Sequence, residues 1–274
     1  MQSLGPLLTS SKAPARPGDK PGQTAPDRPA VKLRPSFGDE LRALATSFDA
    51  KAAILCCVAA AMYTLSHFEG SIDFFLRFLA PHVNLGRFGD MGGDLYWLLM
   101  SNVFFGLVPL GMLLWLREPL SDYGLGLGDR RAGFAVTGLF LAIMLPIIGI
   151  IAHTPSFHGT YPLNQNAAKD LPHFLVWELL YIGYFAGWEF FHRSFLLFGL
   201  RRRIGNLAVF VVAIPFMLEH YGKPEPEAWG SFVAAVALGF LAIRARSFWY
   251  GFFIHGGVAF FMDLLQSWSR LRHH

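Results

Sequence analysis

The chain has 274 residues, of which 53% are hydrophobic and only 15% charged, and its mean hydropathy is +0.39. Soluble domains carry about 25% charged residues, so this composition excludes an ordinary soluble fold and points to an integral membrane protein with apolar runs of about 20 residues. The net charge of +4 sits mainly in loops and the N-terminal region, where membrane orientation accounts for it, so no nucleic-acid partner is expected.

Residues 1–36 are rich in Pro, Gly, Ser, Lys and Arg, and this composition predicts a disordered tail. It does not read as a signal peptide, because the first apolar run starts near residue 52. A short surface helix is expected over 37–49. Seven hydrophobic segments follow, at about 52–68, 95–116, 133–153, 174–200, 206–220, 229–243 and 248–266. The fifth and sixth are short for independent spans and fit beside an interior cavity. Residues 71–83 are amphipathic and suit the interface. The adjacent Cys56 and Cys57 suggest small apolar packing rather than a disulfide.

With the N-terminus in the cytoplasm, the cytoplasmic parts hold 16 of the 23 Lys and Arg residues and the external parts hold 6. That bias fits the positive-inside rule. An odd number of spans places the C-terminus outside. No internal repeat supports a transporter.

Ionisable side chains inside spans are costly and mark functional sites or structural pairs. Four stand out: Glu189 and Arg193 in the fourth segment, His220 at the end of the fifth and His255 in the seventh. Glu189 and Arg193 are four residues apart and share a helix face. A buried ion pair that pins packing is the plain alternative to a functional role. Counted from the cytoplasmic ends of their segments, Glu189, His220 and His255 lie about 16, 21 and 10 Å deep. They can therefore meet in one cavity, where an acid, two imidazoles and an arginine suit water activation and oxyanion stabilisation.

Other signals are weaker. Glu189-x-x-His192 is half of a di-iron motif without its second half. There is no HExxH and no Gly-x-Ser-x-Gly. The string GLGD, 126–129, lies in a polar loop and reads as solvated.

The order of these motifs resembles the CPBP intramembrane proteases, the group that includes CAAX-processing, bacteriocin-processing and Abi proteins. WEFFHRSFLLFGL is similar to the EExxxR helix, with Glu189 at the second Glu and Arg193 at the Arg. Phe216 and His220 match FxxxH, and His255 matches the later histidine, after LGFLAIRARSFWYGFFI. The loop YGLGLGDRR resembles a frequent element of the family. The resemblance covers roughly residues 95–266.

It implies an all-α, polytopic transmembrane bundle of about seven or eight helices around an interior active-site cavity. The implied activity is hydrolysis of a peptide bond in a membrane-associated polypeptide, in a bacterial cytoplasmic membrane. Glu189 and His220 would activate water, His255 would stabilise the oxyanion, and Arg193 would hold Glu189. Phe216, Glu219, Glu227 and Asp263 would support the site. No cofactor is expected, and the sequence is silent on a metal.

Two positions depart from the family pattern. Trp188 stands where relatives keep the first Glu, the usual water-activating acid. Ala259 stands where an Asn or Asp follows the last histidine, and Asp263 is too far along the helix to replace it directly. Glu189 itself, or Glu219, Glu225 or Glu227 from outside, could supply the acid. The alternative is a catalytically silent membrane scaffold or immunity-type protein of the same fold. The expected organisation is a tail (1–36), an N-terminal region (37–94), the protease-like membrane domain (95–266) and a C-terminal tail (267–274).

Overall fold

The computed structural model describes residues 35–47 and 49–271. The expected N-terminal tail therefore lies almost wholly outside the described residues, as do the last three of the C-terminal tail. The chain divides into two units, 1–47 and 48–274. In the first, helix α1 (Phe37–Ser47) forms within the stretch expected to be a surface helix, and none of its residues is buried.

In the second unit, each of the seven expected hydrophobic segments is helical, and no strand occurs among the described residues. Helix α2 is Ala50–Phe68, and α3 is the helical rod Gly86–Trp115. Helix α4 is Arg130–Ile151. The rod α5 runs from Leu171–Glu189 through a π-helical stretch, Phe190–Leu196, into Leu197–Ile204. Helices α6 (Leu207–Leu218), α7 (Glu225–Ala245) and α8 (Trp249–Leu271) complete the set. Four of these, α2, α3, α4 and α7, are long and apolar enough to cross a membrane, and α6 is a shorter apolar helix. The protein is an all-helical integral membrane bundle.

Local chemistry sets the helix ends. Asp49 caps α2 by accepting from the Ala52 amide at 2.7 Å. Asp129 caps α4 through the Ala132 amide at 3.0 Å. The Asp of GLGD is thus a helix cap, held also by Arg244 at 2.8 Å. Asp170 caps α5, and bonds from the His173 side chain and amide push its carboxyl down to about 2. The sixth segment corrects its expected length. Pro224 precedes a helix of 21 residues, because the polar YGKPEPE stretch supplies the first turn of α7 instead of a loop. Helix α8 also runs past the expected boundary at 266, to Leu271.

Rod α5 is the axis of the bundle. Residues 187–200 are buried without interruption, packed by α2, α3, α6, α7 and α8. A helix apolar and buried all round belongs to a core, so the charges of this stretch face protein rather than lipid. By contrast α4 turns Phe134, Leu139, Ile143, Ile147 and Ile150 outward. Cys56 and Cys57 are unpaired, as expected, but exposed on the side of α2 rather than packed inside.

One end of the bundle gathers the basic loops. Glu118 pairs with Lys51 and with Arg202, the latter at 2.7 Å, and Arg202 also meets Asp122 at 3.0 Å. Arg203 pairs with Asp49. The Lys51 ammonium, and then Arg202, hold the Glu118 carboxyl below the usual carboxylate range.

Candidate active site

Rod α5 presents Glu189 at the junction of its α-helical and π-helical parts. A π-stretch re-aims side chains and is frequent at functional sites. Glu189 is fully buried, and its Oε1 accepts a hydrogen bond from His255 Nδ1 at 2.9 Å. Its Oε2 faces Arg193 Nε at 3.3 Å. The approach of α8 depends on Gly251, one turn before His255. A Cβ there would lie 2.5 Å from Glu189 Oε2, closer than carbon and oxygen pack.

His220 enters from the end of α6. Its Nδ1–H donates to the Phe216 carbonyl at 2.9 Å, which leaves Nε2 as the free nitrogen of the neutral ring. The His220 and His255 rings lie nearly parallel, 6.4 Å apart and inclined by 21°. Phe216 ties the group together. Its ring is 5.2 Å from His220 and 5.6 Å from His255, and the Arg193 guanidinium sits over it at 4.4 Å. Such a cation–π contact steadies a desolvated arginine. His220 also lines a cavity of about 450 Å³ with Tyr221, Lys223, Glu225 and Trp229.

The structure therefore brings Glu189, Arg193, Phe216, His220 and His255 together. Of the other candidate acids, Glu225 lines the His220 cavity, whereas Glu219, Glu227 and Asp263 are engaged elsewhere. Glu219 is exposed and lines a different cavity, of about 480 Å³, with Tyr63, His67, Asp94 and Trp97. Glu227 accepts from the Tyr161 hydroxyl at 2.7 Å and pairs with Lys223 at 3.1 Å. Asp263 is buried elsewhere on α8, where it accepts from Trp177 Nε1 at 2.8 Å. Among the described residues, no three His, Cys, Asp or Glu side chains are grouped to hold a metal ion.

Trp188 is buried, with its ring 4.3 Å from that of His192 and 5.9 Å from that of Phe216. The His192 Nδ1–H donates to the Trp188 carbonyl at 2.8 Å, and Nε2 accepts from the Tyr63 hydroxyl at 2.7 Å. The position of the missing acid is thus filled by an indole locked against an imidazole. Tyr63 and Gly251 carry no motif that marks them in the sequence. Only their place, within a span and one turn from His255, connects them to the site.

Residues 172–261 match the family model of Rce1-like type II CAAX prenyl endopeptidases. No curated protein and no solved structure gives a significant match to the chain. The segment that supplies Glu189, Arg193, His220 and His255 is thus similar to the Rce1-like type II CAAX prenyl endopeptidases, consistent with a CPBP-type intramembrane protease.

Proposed function

We propose that the protein is an intramembrane endopeptidase that cleaves a membrane-associated polypeptide with water. The observation that carries this reading is the Glu189–His255 hydrogen bond beside a His220 ring whose Nε2 is free. In this reading His220 Nε2 takes a proton from water as the water oxygen attacks the scissile carbonyl. His255, oriented by Glu189, stabilises the developing oxyanion. His220 then returns its proton to the leaving amine.

Glu189 acts through His255 rather than on water directly, because it is fully buried and its two oxygens face His255 and Arg193. This assignment gives the Trp188 position no proton to move. Support for the topology comes from the ion pairs that gather Lys51, Arg202, Arg203 and Arg244 at the basic loops. In this reading that end faces the cytoplasm.

The test is a variant series in a cell that expresses the substrate. His220→Ala, His255→Ala and Glu189→Gln should each stop cleavage while the protein still inserts at wild-type level. The silent-scaffold reading is favoured by Trp188, which packs where an acid is expected. It gains if wild type and all three variants give the same cleavage pattern.

A further inference from the structure

A second polar contact joins the same two helices away from His255. Glu178 lies on α5, 11 residues before Glu189, and Asp263 lies on α8, 8 residues after His255. At 1.5 Å per residue these separations are about 16 and 12 Å. Glu178 is 4% exposed and Asp263 is 0% exposed. Their carboxyls are close enough to influence each other. Asp263 Oδ2 already accepts from Trp177 Nε1. Asp263 Oδ1 and both oxygens of Glu178 receive no other donor. One turn along α8, the fully buried Ser267 hydroxyl is also without a partner.

Two ionised carboxylates in such a place would repel, and each would lack a donor. Burial of an unpaired charge is costly, and two carboxylates that share a site cannot both ionise readily. The surroundings do not neutralise them. Lys223, the cation whose field reaches Asp263, is paired with Glu227 at 3.1 Å. Tyr161 donates to that same Glu227, His158 is bonded to Gln266 of α8, and Tyr181 adds only a neutral phenol.

We propose that Glu178 and Asp263 together bind one proton, so that the Glu178 carboxylic acid donates to Asp263 Oδ1 and ties α5 to α8. The tie is a second fastening for the helices that carry Glu189 and His255. It requires no assumption about the reaction at that first contact.

The direct test is infrared spectroscopy of the purified full-length protein near neutral pH. Wild type should show the C=O stretch of a protonated carboxylic acid, shifted by deuteration. Glu178→Gln and Asp263→Asn should each lose it. A proton taken up on folding makes stability fall as pH rises. Around neutral pH the unfolding constant of wild type should therefore rise with pH more steeply than that of Glu178→Gln. Absence of the band in wild type would overturn the proposal, as would a band that persists in both variants. Loss of the band on adding sodium or magnesium ions, with a gain in thermal stability, would assign the pair to a cation instead. The wild-type spectrum decides the matter even where a variant fails to fold.

Discussion

Two acid-centred contacts fasten α5 to α8, and they differ in what they leave free. At Glu189 the acid faces an imidazole and a guanidinium, and the group borders an open cavity through His220. At Glu178 the acid lies beside another acid, Asp263, which accepts from the Trp177 indole N–H, and both carboxyls are buried. The first pairs opposite charges and leaves one histidine nitrogen available to a substrate. The second pairs like groups and is sealed. A carboxylate inside a membrane bundle is thus not a site by itself. Its partners and its access to a cavity decide whether it supports chemistry or holds helices together.

The largest way to break this contrast is His220→Ala. Removing a general base costs about 10²–10⁴-fold in rate, and the Glu178–Asp263 contact should be untouched. The comparison of initial cleavage rates with the thermal unfolding midpoint checks both halves. A variant that lost rate only in proportion to its folded fraction would refute a chemical role for His220. Next is Arg193→Ala, which leaves Glu189 buried beside one partner fewer. Truncating one partner of a buried pair costs about 3–5 kcal/mol, to be read as a lowered unfolding midpoint in detergent.

Gly251→Ala should have a smaller effect. Its Cβ would sit 2.5 Å from Glu189 Oε2, and overpacking of this kind costs about 1–3 kcal/mol. Because the strain falls on the Glu189–His255 contact, cleavage rate should fall more than stability does. The smallest effect is expected outside the bundle core. The Glu118 carboxyl is held below its ordinary range by Lys51 and Arg202. Its stabilisation is therefore full above the unfolded-state pKa and is lost as pH falls through the lowered folded value. Glu118→Gln should remove about 1 kcal/mol at neutral pH and nothing at strongly acidic pH. Paired melting curves at the two pH values would show it.

Much of the site was legible because charges inside spans are rare. Glu189, Arg193, His220 and His255 stand out in the sequence for that reason, and all four meet in the structure. Depth along a helix could bring them to one level but could not choose partners. It left open whether Glu189 would meet water, His220 or His255, and that choice rests on the π-stretch and on Gly251, which no periodicity reveals. The same reading passes over Glu178, which sits in a long apolar run with no motif around it. Asp263 was visible, but only its distance along α8 from His255 could be judged, and its true partners lie on α5. The hydrophobic segments were legible from their length and apolarity. The added turn of α7 was not, because two prolines and two glutamates read equally well as a loop and as the start of a helix.

The central claim is that Glu189 serves hydrolysis by holding His255. Its most direct test is a map of new protein termini in membranes from cells that express wild type or Glu189→Gln at equal levels. The account predicts one or more membrane polypeptides with a terminus generated by wild type and absent with Glu189→Gln. Identical termini in the two membranes, with both proteins folded and inserted, would contradict it.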